Sequence, residues 1–422
     1  MTTETTEPRV DRPPFDPICI STLEFWSKTA EEREPYFKIL RDERPVSWHP
    51  PIEGTMMPPP VDGVWAITRH EDIEYVSKNP QLFCSGQGTQ VEAIPPEMLV
   101  LAESFLSMDG EEHSSLRRLI SSVFTPRRLS IIRDQVNNQA KQIVDDFVKT
   151  KEGDFVEQVA KKLPMWTIYE MVGLPPEKRD ETTRHADGMV SWADPEVAAG
   201  REPMQVILES LTALRETAME LADQRRAEPT DDLMSQLVQA EVDGRRLTND
   251  ELGAFFVLLS VAGNDTTRNS TSIATMALQE FPDQKELLLN DFDGHIHTAI
   301  EEFVRWATPV MTFRRTVTED TVLRGQELKQ GDWVLLMYSS GNRDERAFTD
   351  PHKFDIRRKP NPHVAFGGGG PHYCMGAFLA KMQLEAMFRE LLFRAPTLRV
   401  GEPSYLRSNF MRAVKSLPYT LD

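Results

Sequence analysis

Apolar and polar positions recur along this chain with two periods, and the changes of period mark its elements. EEREPYFKILRDERP, from Glu31 to Pro45, carries its apolar residues at helical spacing. Two short strand-like runs follow, PVSWH and GVWAITR. The PPIEGTMMPPPVD between them cannot continue a sheet and predicts an exposed loop. From about Pro126 to Arg246 the pattern is mostly helical, as in RLSIIRDQVNNQAKQIVDDFVK and DDLMSQLVQAEVDG. Strand-like runs return in RRTVTED, TVLRG and DWVLLMY. The expected fold class is mainly α with small β-sheets: β-rich near residues 40–75 and 310–340, and helical for most of the rest. No fixed repeat and no clean linker interrupts the pattern. A flexible leader over 1–20 and a single domain over 21–422 are therefore expected.

One helix stands out. Thr248-Asn-Asp-Glu251 reads as a capping box, and the pattern then runs without proline to Phe281. A helix of that length extends on the order of 50 Å. Its apolar stretch from Phe255 to Ala262 predicts a path through the core, yet its middle reads AGNDTTRNS. Polar groups in a buried helix need a reason.

Composition narrows the classes. The 422 residues are 40% hydrophobic and 27% charged, as in soluble globular proteins. A formal net charge of −18 argues against a nucleic-acid binder, which needs a dominant basic surface. The N-terminal MTTETTEPRVDRPPFDPICI has no basic-then-apolar signal pattern, and FFVLLSVAG is too short to span a bilayer. Cys19, Cys84 and Cys374 are odd in number and scattered, which fits a reducing cytoplasm without a disulfide framework.

The sharpest chemical signal is HVAFGGGGPHYCMG, His363 to Gly376. A glycine-rich turn around an inert, buried cysteine is the plain reading. No Gly-Lys-Ser/Thr follows, so a phosphate loop fails; with no Cys-x-x-Cys partner, zinc is disfavoured. A thiolate ligand to haem iron fits better. Glycines let backbone pass close to a flat macrocycle, and amides turned toward the sulfur would temper its charge. The helix AFLAKMQLEAMFREL then starts behind the cysteine, where its N-terminal end favours negative charge.

Phe366, Gly370, His372, Cys374 and Gly376 resemble the cysteine-ligand loop of the cytochrome P450 family. Two departures are visible: one extra residue between Phe366 and Cys374, and Met375 where leucine is usual. The resemblance implies the cytochrome P450 fold, with the long central helix over haem b and Cys374 as the axial ligand of its iron. It implies that Glu302, Arg305 and Arg358 form a structural triad, with the first two one helical turn apart. It implies that His113, Arg117, Arg315 and His372 meet the haem propionates, with Arg315 preferred over Arg314. Ala262 and Gly263 would leave room above the iron, Thr266 would bond back to the Ala262 carbonyl, and Asp265 with Thr266 would relay protons. The landmarks run in family order over nearly the whole chain.

The activity so implied is a monooxygenase using O₂ and two electrons. No flavin or Rossmann signature is present, so the expected donor is a separate ferredoxin with its reductase. A basic dock is expected from Arg117, Arg118, Arg127, Arg128, Arg357 and Lys359. AGNDTTRNS, PVMTFRRT and RSNFMRAVKSLP resemble members that hydroxylate terpenoids, methyl-branched lipids or sterols. Candidate pocket walls are Val91, Ile94, Met189, Trp192, Leu258, Val310, Met311 and Phe313. A haem protein that senses without oxygenating, or a peroxide-driven oxygenase, stands as the alternative.

Overall fold

The computed structural model describes residues 12–91, 104–124, 126–192 and 194–422. Helix α1 (Ala30–Glu43) is followed by strands β1 (Val46–His49) and β2 (Val64–Ile67) and helix α2 (His70–Lys78). Strand β3 (Phe83–Cys84) then leads to α3 (Gly110–Ser121), α4 (Pro126–Phe147), α5 (Lys162–Val172), α6 (Pro176–Val190) and α7 (Pro203–Ala227). The long helix α8 (Asn249–Glu280) precedes α9 (Phe292–Ala307), strands β4 (Thr312–Val317) and β5 (Trp333–Met337), and α10 (Ala377–Arg394).

The strand-like runs near the two ends of the sequence make one sheet, ordered β1-β2-β5-β4-β3. β2 and β5 pair in parallel, Val64 with Trp333, and the other pairs are antiparallel. β1, β2 and β5 are buried along their whole length, which suits their runs of Val, Trp, Ile and Leu. The proline-rich stretch between β1 and β2 forms neither helix nor strand, as expected.

The predicted capping box is present: Glu251 N donates to Thr248 Oγ1 at 3.2 Å, and Thr248 N to the Glu251 carboxylate at 2.8 Å. α8 then crosses the molecule. Its first half packs Leu252, Phe255 and Phe256 into a large cluster with α3, α4, α5 and α7, and its end packs Ala274, Ala277 and Leu278 against α9 and α10. No helix among the described residues is long and apolar enough to cross a membrane.

Two expectations are corrected. The helical pattern expected as far as Arg246 stops at Gln239, and Glu241–Val242 pairs with Arg245–Arg246 in a hairpin. Asp243 and Gly244 both take positive φ, the geometry an Asp-Gly turn favours. The leader is tied down from Arg12 onward. Arg12 Nη1 donates to Asp332 Oδ2 at 2.6 Å, Asp16 N to the Trp48 carbonyl at 2.7 Å, and Ile20 is buried.

Candidate functional site

The loop from His363 to Gly376 joins the region after β5 to α10. Gly367, Gly369 and Gly370 take positive φ, which other residues adopt only under strain. The tract also lies against the end of α2. A Cβ on Gly370 would collide with the Ser77 carbonyl oxygen, and one on Gly368 would stand 2.5 Å from Ser77 Oγ. The glycines therefore serve close packing on α2 as well as the turn itself.

Cys374 N donates to the Phe366 carbonyl at 2.9 Å, which closes the loop despite its extra residue. The amides of Gly376 and Ala377 approach the thiol from the start of α10. Cys374 is accessible to solvent, yet surrounding protein desolvates its thiol enough to push its pKa up. The neutral thiol is favoured until a cation arrives.

Two imidazoles and two guanidinium groups gather in this region. The His113 and His372 rings lie 4.3 Å apart, and His113 Nε2 and both His372 nitrogens are buried without hydrogen-bond partners. Asp109 Oδ1 stands 3.9 Å from His372, beyond hydrogen-bond reach. Burial first, then the neighbouring His372 and Arg117, push His113 down to about 4. Arg117 Nη2 donates to the Tyr373 carbonyl at 2.6 Å. Arg315 is buried, and its Nη1 donates to the Arg314 carbonyl at 2.7 Å; no carboxylate pairs with it among the described residues. Arg314 points the other way, its guanidinium 3.8 Å over the Trp333 ring and bonded to the Gln87 and Gly88 carbonyls. Strand alternation thus separates the two arginines and favours Arg315. Orphaned imidazoles and an uncompensated guanidinium beside a cysteine fit a group carrying carboxylates and a metal, as haem does.

Glu302 and Arg305 are fully buried and paired through two bonds of 2.7 Å. Arg358 Nε reaches Glu302 Oε2 at 3.1 Å, and the two arginines together hold the carbonyls of Asn342, Thr349, Asp350, Pro351 and Lys353. The triad fastens the coil that leads into the cysteine loop.

Midway along α8, Ala262 is exposed and Thr266 half-buried, whereas Asn264 and Asp265 are buried. Thr266 Oγ1 donates to the Ala262 carbonyl at 2.9 Å, as expected, without interrupting the helix. Gly263 departs from its expected role. A Cβ there would stand 2.7 Å from Ile168 Cδ1, so its missing side chain admits α5 and does not open free space. Asp265 is 3% exposed, and burial raises its carboxyl to about 6 against the pull of Arg268. Arg268, three residues on, pairs with Asp265 and reaches Asp187 Oδ1 on α6 at 3.4 Å. Its place one turn from Asp265 was the available sequence signal, and the sequence reading passed over it. Asn269 and Ser270 bond back to the carbonyl four residues earlier within the polar stretch, and Thr271 and Ser272 do the same just beyond it.

The pocket candidates do not form one set. Met189 and Leu258 pack half-buried against the helical cluster, and Trp192 is half-buried just after α6. Val310 and Phe313 are half-buried against the sheet. Val91 and Met311, at 3% and 2% exposure, are closed into a separate cluster with Phe25 and Ile52, so packing leaves them little surface for a guest. Ile94 lies outside the described residues. Phe410, which sequence reading missed, sits 5.5 Å from Phe313, and its carbonyl accepts Met311 N at 2.7 Å.

A family model described as Cytochrome P450 matches residues 197–395. The chain is 38% identical to a methyl-branched lipid omega-hydroxylase of Mycobacterium tuberculosis, over 97% of this chain and 96% of the relative. It is 38% identical to a steroid C26-monooxygenase of Rhodococcus jostii, over 91% and 81%. The solved structure of Mycobacterium marinum cytochrome P450 CYP268A2, in complex with pseudoionone, superposes with a TM-score of 0.93 at 49% identity, over 97% and 99% of the two chains. The cysteine loop with its unpartnered imidazoles, together with these likenesses along the full length, makes the chain a member of the cytochrome P450 family, the haem-dependent monooxygenases.

Proposed function

We propose that this chain hydroxylates a branched apolar substrate near a chain end, with Cys374 holding the haem iron. The observation that carries the proposal is the meeting of Cys374 with the unpartnered His113 and His372 and the uncompensated Arg315. His113, Arg117, Arg315 and His372 would hold the propionates, and Phe366, Gly370 and Gly376 would shape the backbone beneath the macrocycle. Haem supplies dioxygen activation when bound; the protein supplies position, protons and exclusion of bulk water. The amides of Gly376 and Ala377 spread the thiolate's charge. Asp265, raised to about 6, is able both to hold and to release a proton near neutrality. Thr266, facing the same side as exposed Ala262, passes that proton on or orders a water.

The substrate class is supported by the relatives, a methyl-branched lipid omega-hydroxylase and a steroid C26-monooxygenase. Leu258, Met189, Trp192, Val310, Phe313 and Phe410 supply apolar surface for such a guest. Electrons would come from a small acidic ferredoxin served by its own reductase, meeting Arg117, Arg118, Arg357 and Lys359; the Arg127 and Arg128 side chains lie outside the described residues. Arg118 and Arg357 already face Asp243 and Asp355 at 3.3 and 3.7 Å, which weakens the charge available to a partner. The three unpaired cysteines suit the cytoplasm.

The test is the ferrous–CO spectrum of the haem-loaded protein, then titration of the ferric form with methyl-branched fatty esters, acyclic terpenoids and a sterol. A long-wavelength Soret band of thiolate-ligated haem and a spin shift with one class are expected. A short-wavelength band in folded protein overturns the ligand assignment.

A further inference from the structure

Glu301 and Glu302 adjoin on α9, yet their carboxylates serve different networks. Glu302 holds Arg305 and Arg358. Glu301 turns toward the cysteine loop, accepting from Lys381 Nζ at 2.6 Å and standing 2.9 Å from His363 Nε2. The Ala365 amide donates to His363 Nδ1 at 3.3 Å, so the imidazole proton belongs on Nε2, directed at Glu301. These side chains surround Phe366: the Lys381 ammonium lies 5.2 Å over its ring and the His363 ring 5.7 Å away. Phe366 in turn accepts the Cys374 amide through its carbonyl. Three elements, α9, the start of the loop and the second turn of α10, thus clasp the residue that receives the cysteine's own hydrogen bond.

The loop has reason to need a clasp. Between Phe366 and Pro371 it offers only glycines, whose backbone has the most freedom to lose. Contact with α2 restrains the glycines; nothing in that contact fixes Phe366. The clasp also brings charge. Lys381 and Glu301 are each about one-third exposed, at 32% and 31%, so bulk water screens them only in part.

We propose that Lys381, Glu301 and His363 form a positioning clasp that fixes Phe366 and, through its paired charges, sets the reduction potential of the haem; this rests on Cys374 being the iron's ligand. The one-electron reduced site is more negative than the oxidised site. Lys381 therefore favours reduction and Glu301 opposes it.

The experiment uses the full chain loaded with haem, as wild type, Lys381→Met, Lys381→Arg and Glu301→Gln. Midpoint potentials are read in a dye-mediated dithionite titration without any protein partner, beside the ferrous–CO band of each. Lys381→Met should move the midpoint to more negative values and Glu301→Gln to more positive values. Lys381→Arg should stay near wild type, all with the long-wavelength band kept. Midpoints unmoved in both charge-removing variants, with the band intact, overturn the clasp as a tuning device. Shifts of the same sign with loss of the band overturn it too, because they mark a merely structural role. Lys381 is partly exposed, so its truncation spares the core, and its sign alone decides the matter if Glu301→Gln loads poorly. A wild type without the band refutes the ligand assignment instead, which separates the two failures.

Discussion

Asp265 keeps its carboxyl group buried, with Arg268 of its own helix as partner and Asp187 beyond it. The shift from 3.8 to about 6 means that the folded protein retains a proton the unfolded chain has lost between those values. The stability that Asp265 contributes by this route is full below about 3.8 and gone above about 6. The melting temperature of wild type, relative to Asp265→Asn, should fall from pH 5 to pH 7 and level off above it. A difference that is flat with pH would show that the carboxyl is not raised. Turnover by Asp265→Asn should drop by roughly 10²-fold with substrate spin shift retained, the size expected when one proton-transfer group is lost. Thr266→Ala should keep consuming O₂ while peroxide replaces product, measured by oxygen electrode and peroxide assay. Indifference to that change would favour the ligand-binding alternative over an oxygenase. Asp265 and Thr266 were legible from local spacing. Arg268 and the clasp around Phe366 were not read out, because their meaning depends on which way a side chain points and what stands there.

At the scale of elements, glycines separate by what they meet. Gly370 has φ of +74° and faces the Ser77 backbone, which cannot step aside. Gly370→Ala should cost about 1–3 kcal/mol or more, seen in denaturant unfolding, because strain and collision add. Gly263 is helical and faces the Cδ1 end of the buried Ile168 side chain, not backbone. Gly263→Ala should stay within about 1 kcal/mol of wild type, since better helix propensity offsets a small shift of Ile168. Equal losses in the two variants would mean that α2 does not confine the loop as described. The capping box and the extent of α8 were readable because caps act over four residues. The hairpin at Asp243-Gly244 was hidden by apolar spacing in DDLMSQLVQAEVDG that continues smoothly across the break. Gly263 looked like space over iron because sequence shows a missing side chain but not its neighbour.

Across the whole molecule, sequence spacing gave strands near both ends without showing that they pair with one another. Alternation tells which face a residue takes, not which distant strand lies alongside. The basic dock proposed above predicts electrostatic steering of an acidic partner. Reduction by a ferredoxin should slow as salt rises from 10 to 200 mM, followed by stopped-flow absorbance, because the Debye length shrinks over that range. A flat response would point to an apolar contact instead.

The joined sheet has a further consequence during synthesis. Trp65 donates its indole N–H to Asp332, 267 residues later, and β2 has no neighbour on that side until β5 is made. At roughly 5–20 residues per second, a ribosome leaves the β1–β2 pair waiting on the order of 10–50 seconds with an open, apolar edge. The α3–α8 helices can begin to collapse on one another meanwhile, although α10 and the C-terminal strands are needed to complete their cluster. Slowing translation, or depriving the nascent chain of a chaperone, should therefore harm yield through this early hairpin before any defect in the helices is felt.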